Sequence, residues 1–269
     1  MKSIVLFLSV LLLAGGSAQA ATVAPHRAFY DLSLLRANEG ASLQSATGKL
    51  AFEIEGSSCD GFTVNFRMAT KYRPKEGEPS VVDTMTTTYE GPGGLDFRHQ
   101  LKELINGQPK DNLRIKMTRT AIGVDGQGTV STKDEGFTVP AEAALPMQHQ
   151  LKLMALGEHG GGRDSSVVFD GSDGGKSFRA ISFVGKPRLP GAVARDAANP
   201  AAAPLKSVGS WPMSVSYYPL DGNADTPEYQ VSFDMYENGV ATGLVLDYGD
   251  FVLSGTLTDL NLLKPSECP

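Results

Sequence analysis

Two cysteines, Cys59 and Cys268, and four histidines, His26, His99, His149 and His159, carry the side-chain chemistry that spacing can test first. Neither cysteine lies in a C-x-x-C pair, which argues against thiol redox catalysis. The histidines sit mostly in separate segments, so spacing gives no reason to expect a metal site. His149 is expected to be a hydrogen-bonded structural histidine, with a switch or base as the alternative. His26, in Pro25-His26-Arg27, is expected to pair with a local carboxylate. Asp221-Gly222-Asn223-Ala224-Asp225 looks like the start of a calcium loop. Its sixth place is Thr226 and its twelfth Ser232, so a turn is the better reading. Asp170-Gly171-Ser172-Asp173-Gly174-Gly175 reads as a hairpin loop. Scattered acids could supply a glycosidase pair, but sequence spacing does not measure their separation in space. The lone Trp211 is expected in the core rather than as a carbohydrate platform. No nucleophile elbow, S-x-x-K, zincin, phosphate-loop or dinucleotide motif occurs. The expectation is therefore no catalytic residue, no metal and no cofactor.

Charge narrows the partners. Lys and Arg number 24 against 30 Asp and Glu, a net charge of −6 over 269 residues. An acidic chain without a basic block is a poor nucleic-acid binder. Two cysteines and four histidines also make a zinc-finger array or an iron–sulfur protein unexpected. Hydrophobic residues, at 41%, are enough for a substantial core.

Residues 1–20 read as a secretory signal peptide. Lys2 is followed by the apolar run Ile4 to Leu13 and the A-x-A site Ala18-Gln19-Ala20. The mature chain would start near Ala21, exported and without a membrane-spanning segment. An oxidising compartment and an even cysteine count predict a Cys59–Cys268 disulfide, the alternative being two buried free thiols. Such a bond would close a loop of about 209 residues, worth up to roughly 5 kcal/mol in the chain-entropy model.

The elements expected to position these groups are strands. Phe62, Val64, Phe66, Met68 and Tyr72 alternate with polar residues, as do Leu113, Ile115 and Met117. Trp211, Met213, Val215 and Tyr217 follow the same period, and so do Tyr229, Val231, Phe233 and Met235. Val81 to Tyr89, Leu244 to Asp247 and Phe251 to Leu262 complete roughly fourteen strand candidates. Turn pairs separate them, with Asn238-Gly239 expected as the two-residue hairpin. Strands do not alternate with helices, which excludes a doubly wound or barrel α/β fold. One helix is predicted. Pro146 starts it, Met147, Leu151, Met154 and Ala155 form its stripe, and Gly157 stops it. The stripe should pack on the sheet or plug an open barrel end. The Pro- and Ala-rich stretch 186–210 reads as a long exposed loop within one domain spanning 21–269, the alternative being a domain linker.

Several segments resemble one family. Pro25-His26-Arg27-Ala28-Phe29-Tyr30-Asp31-Leu32, Cys59-Asp60-Gly61-Phe62 and Tyr89-Glu90-Gly91-Pro92-Gly93-Gly94 occur in the order seen in the EipB-like cell-envelope integrity proteins of alphaproteobacteria. Leu145-Pro146-Met147-Gln148-His149 and the tail Leu246-Asp247-Tyr248-Gly249-Asp250-Phe251, ending at Cys268, are similar too. The resemblance implies a mainly β fold, an antiparallel sheet coiled into a spiral or broken, overlapping barrel. It also implies a periplasmic role in envelope integrity under stress, a disulfide at Cys59 and Cys268, and a link to a periplasmic tetratricopeptide-repeat protein. No catalytic residue comes with it. The expected function is binding of an envelope protein or protein segment. A lipid or lipoprotein carrier, or a peptidoglycan or glycan hydrolase, is the alternative.

Overall fold

The computed structural model describes residues 22–191, 198–220 and 225–265. The signal-peptide residues, the Asp221–Ala224 part of the acidic turn, and Cys268 lie outside the described residues. The first eight strands are β1 (His26–Ala37), β2 (Leu43–Ser57), β3 (Gly61–Pro74), β4 (Ser80–Glu90), β5 (Asp96–Ile105), β6 (Gln108–Thr118), β7 (Gly126–Val130) and β8 (Glu135–Val139). A single α-helix, α1 (Pro146–Glu158), separates them from β9 (Gly162–Val168), β10 (Phe178–Val184), β11 (Ser210–Pro219), β12 (Tyr229–Tyr236), β13 (Ala241–Asp247) and β14 (Phe251–Leu262).

All fourteen strands form one unclosed sheet in the order β8-β7-β6-β5-β4-β3-β2-β1-β14-β13-β12-β11-β10-β9. Every strand lies beside its sequence neighbour except at one seam, where β1 pairs with β14 from His26 opposite Leu262 to Ala37 opposite Phe251. The two ends of the chain therefore meet in the middle of the sheet. The two ends of the sheet, β8 and β9, are consecutive in sequence and joined through α1. The outer edge of β9 is partly covered by Ala144, which bridges to Val168 in parallel register.

Period-two patterning sets the two faces. In β1, His26, Ala28, Tyr30 and Leu32 point inward and are buried, whereas Arg27, Asp31 and Ser33 point outward. The outer face carries cross-strand polar pairs: Arg67 donates to both Asp83 oxygens at 3.0 and 2.8 Å, Lys49 meets Asp31, and Arg27 meets Glu53. Such exposed pairs set register more than they stabilise. The two-residue hairpin is at Asn106-Gly107, not Asn238-Gly239. Both residues there have positive φ, 51° and 77°, as that tight turn demands. Asn238-Gly239 sits in a four-residue link between Tyr236 and Ala241.

The helix is held by groups that its own stripe does not contain. Glu90, at the end of β4, aims its carboxylate at the helix N-terminus: Oε2 accepts Met147 N–H at 2.8 Å and Oε1 accepts Gln148 N–H at 3.1 Å. These are donors that no helical carbonyl can reach. Gln148 Oε1 in turn accepts Leu145 N–H at 3.0 Å. Met147, His149, Leu153, Met154 and Gly157 face the sheet. Gly157 is inside the helix and does not stop it; a Cβ there would sit 2.6 Å from the Trp211 ring. The stop comes two residues later, at His159, whose Nδ1 hydrogen-bonds Ala155 O. Trp211 is 2% exposed, in the core as expected.

The 186–210 stretch is not simply exposed. Arg188 backbone pairs with Ser210, and its guanidinium meets Asp234, which is 0% exposed, at 2.8 Å. A short 3-10 helix, Pro200–Leu205, buries Ala202 and Leu205 in the core beneath β1 and β14. With three residues per turn, positions i and i+3 share a face, a spacing that strand patterning misses.

Burial pushes the Glu90 carboxyl up to about 7, against the opposing pull of the two helix N–H groups and Arg119. An acid with a raised folded-state pKa favours folding while protonated. That contribution is complete below about 4.5 and is lost as pH rises through about 7. Burial acts oppositely on His26, His99 and His149, whose lowered pKa values favour folding only as pH rises toward about 6.5. Comparison with Glu90→Gln isolates the first effect. Between pH 4 and pH 8 the unfolding free energy of wild type should fall by about 3 kcal/mol relative to the variant. Parallel denaturation curves across that range would refute this assignment.

Candidate functional site

The histidines resolve first. His26 Nδ1–H donates to Ala24 O at 2.8 Å and the ring packs on Phe52; it pairs with a backbone carbonyl, not with a carboxylate. The difference follows from burial, since its ring faces the core rather than the charged outer face. His99 meets Thr88 Oγ1 at 2.9 Å. His149 has Ser182 Oγ at 3.4 Å and Asp164 Oδ2 at 3.6 Å, a set that superficially suggests a hydrolytic triad. Both partners address the same nitrogen, Nε2, whereas a relay needs serine and carboxylate on opposite sides of the ring. Ser182 is 0% exposed, out of reach of substrate. Burial raises the Asp164 pKa, but Lys152 at 2.6 Å, Ser166 at 2.7 Å and His149 together hold it below the usual range. His149 is thus hydrogen-bonded and buried, as the sequence suggested.

Cys59 lies in the turn from β2 to β3, where its N–H donates to Ser57 Oγ at 3.3 Å. No cysteine among the described residues is free. Among the same residues no cluster of three His, Cys, Asp or Glu side chains could hold a metal, and no helix is long and apolar enough to cross a membrane.

The candidate site lies on the inner side of the sheet. Five rings run in sequence across it. Tyr217 on β11 stacks with Tyr229 on β12 at 6.2 Å, Tyr229 lies 5.2 Å from Tyr248, Tyr248 lies 5.0 Å from Phe251, and Phe251 lies 5.7 Å from Tyr72 on β3. Tyr248 also points its hydroxyl at Met68 of β3, 4.0 Å away. The row therefore spans from the C-terminal arm to the N-terminal one. Beside it opens a cleft of about 390 Å³ lined by Tyr217, Tyr229, Tyr248, Phe178, Asp170 and Glu228. A second cavity of about 230 Å³ shares Asp170, Tyr217 and Val231 with it and runs inward past Met213, Val215, Phe233 and Leu153 of the helix.

The strands explain why these side chains converge. Tyr217, Tyr229 and Tyr248 occupy inward positions at or just beyond strand ends, where the sheet opens and large rings need not be fully covered. All three are half-buried. Burial raises each phenol above its ordinary value, with Asp170 adding to the rise at Tyr217, the neighbouring tyrosines at Tyr229 and Tyr72 at Tyr248. They are neutral donors at any physiological pH, set in apolar walls. Sequence patterning placed Tyr217 and Tyr229 on inward stripes but not in a shared site. The signal was there in Pro219 after Tyr217 and in the acids Glu228 and Asp247 beside Tyr229 and Tyr248, which mark strand ends rather than strand middles. Of the protein's eight tyrosines, these three and Tyr72, also raised by burial, should resist ionisation. In a spectrophotometric titration they should ionise only above pH 10 or on unfolding; full ionisation of all eight in the folded protein by about pH 10.5 would contradict the buried row.

The architecture has known counterparts. A family model described as EipB-like matches residues 17–264. The cell envelope integrity protein EipB of Brucella abortus (strain 2308) is 31% identical over 254 residues, covering 93% of this chain and 88% of that protein. A crystal structure of a β-barrel-like protein with a domain of unknown function, from Brucella abortus, superposes with a TM-score of 0.84 at 29% identity, over 91% of this chain and 100% of that one. The coiled meander, the order of motifs along it and the matched length together place the chain in the EipB-like family.

Proposed function

We propose that this chain is a non-catalytic periplasmic protein that maintains cell-envelope integrity by holding a segment of another envelope protein in an aromatic cleft on the inner side of its sheet. The observation that carries this reading is the aromatic cleft: apolar walls, neutral phenol donors and an open mouth suit a bound segment. Of the groups best suited to chemistry, Glu90 caps α1, and His149, which borders the inner cavity, is buried beside Ser182 and Asp164. The name of the Brucella relative supports the envelope role, and residues 1–20 support export. The family resemblance puts a periplasmic tetratricopeptide-repeat protein among the partners.

A Cys59–Cys268 disulfide belongs to the same reading. His26 at the start of β1 lies opposite both Leu262 of β14 and Ile54 of β2. Leu263 N–H donates to Pro25 O at 2.8 Å, and Pro265 lines one cavity with Ser57 and Ser58. Cys268 is three positions beyond Pro265, a reach of about 10 Å. Cys59→Ser and Cys268→Ser should each melt several degrees below wild type, since roughly 5 kcal/mol is the upper limit of the lost constraint. Equal gel mobility with and without reductant, together with wild-type melting of both variants, would remove the bond.

The binding claim is tested in cells with a photo-crosslinking phenylalanine analogue placed at Tyr248, in the cleft, or at Tyr218, on the outer face beside Arg179. The expected result is a defined protein adduct from position 248 and none from 218, with the crosslinked peptide identified as one segment of an envelope protein. Adducts from both faces alike would overturn it. Extraction of stoichiometric lipid with no protein adduct would favour the carrier instead.

A further inference from the structure

The two connected cavities differ in character along their length. The inner one is walled mainly by Met213, Val215, Phe233 and Leu153, with His149, Gln150 and Asp170 as its polar lining. The mouth is walled by aromatic rings and carries two carboxylates, Asp170 and Glu228, with no lysine or arginine among its lining residues. Asp170 is fixed by its own loop: its Oδ1 accepts from Ser172 N–H at 2.9 Å and from Ser172 Oγ–H at 2.7 Å. Its field reaches Tyr217 across the cleft, raising that phenol further. Glu228 is held by its backbone, which donates to Tyr217 O at 2.9 Å.

Aromatic faces attract cations through the ring quadrupole, and carboxylates in a partly desolvated mouth do so through charge. An anionic or neutral polar occupant would meet repulsion or unpaired acids there. An apolar stem entering from outside packs against the rings of the mouth, and Asp170, which lines both cavities, stands at their junction to meet a cationic tip. We infer that this cleft takes a primary ammonium on an unbranched apolar stem, the chemistry of a lysine side chain in the bound segment. A primary ammonium is favoured over a quaternary one because it has three N–H donors for Asp170, Glu228 and the phenol oxygens. This deepens the proposed binding of a protein segment by naming the side chain that anchors it.

Calorimetric titration of the mature protein with hexylammonium, hexyltrimethylammonium, hexanol and hexanoate tests the site directly. Hexylammonium should bind at least tenfold more tightly than hexanol, weaken with salt, and outcompete hexyltrimethylammonium; hexanoate should not bind. Asp170→Asn with Glu228→Gln should reduce hexylammonium affinity about tenfold while leaving the melting temperature and hexanol binding unchanged. Equal binding of hexanol would leave only an apolar pocket and overturn the inference. Tighter hexyltrimethylammonium binding would overturn it in favour of a quaternary headgroup. Persistence of the position-248 adduct in the Asp170→Asn, Glu228→Gln variant would reject the lysine anchor while leaving segment binding intact, whereas loss of adducts even in wild type would reject segment binding itself.

Discussion

The pairing of β1 with β14 is the constraint on which the rest of the molecule depends. Every other pairing joins strands that are neighbours in sequence and can form by hairpin closure. This one must bring together residues more than two hundred positions apart, such as Tyr30 and Ala241, whose hydroxyl-to-carbonyl hydrogen bond spans the same seam. Loop-closure entropy makes such a contact costly and slow to form. Without it the chain is two separate meanders, of eight and six strands. With it the inner faces of β3 and β12 turn toward one another, and the aromatic row from Tyr217 to Tyr72 becomes continuous. The continuous aromatic row is thus a product of the seam, whereas the cleft beside it is lined by the C-terminal arm, and a link between Cys59 and Cys268 would brace that seam at one end.

The helix answers a second problem created by the same topology. The two free ends of the sheet, β8 and β9, are adjacent in sequence, so the segment between them must cross the open side. It does so as α1, docked by Gly157 on Trp211 and by Glu90 on its first turn. Placing an acid at a helix N-terminus is electrostatically favourable. Burying it as deeply as Glu90, 4% exposed, more than offsets that gain, which is why its pKa rises instead of falling. Protonation of Glu90 therefore favours the folded state by relieving a buried charge, although it weakens the two N–H bonds to α1. The histidines oppose this, so the pH dependence of stability is set by two buried populations with opposite signs.

Strand content was legible because it depends on a local, period-two signal. Phe62 to Tyr72, Leu113 to Met117 and Tyr229 to Met235 lie on inward faces as their alternation requires. What sequence could not convey depends on contacts made at a distance. Gly157 looks like a helix stop until Trp211, on another strand, explains it as a close approach. The alanines and prolines of 200–205 look like a loop until the core under β14 takes Ala202 and Leu205. His26 was assigned a carboxylate because its neighbours in sequence are polar, but its neighbours in space are Phe52 and a carbonyl. The aromatic site itself was half visible: each tyrosine sits in a readable pattern, but only the roll of the sheet brings Tyr217, Tyr229 and Tyr248 beside Tyr72.

The distribution of satisfied and unsatisfied chemistry bears on what such a site does. Catalytic groups need a shifted pKa together with access to substrate. Glu90 and His149 have shifted values but lie buried against backbone or side-chain partners, and Ser182 has no exposure at all. The accessible cleft holds phenols raised above their ordinary value and carboxylates, arranged around apolar walls. On the function proposed above, these groups orient and retain a guest, and the site works by recognition. The specificity of that recognition then rests on Asp170 and Glu228, since apolar walls alone discriminate one hydrophobic stem from another only weakly.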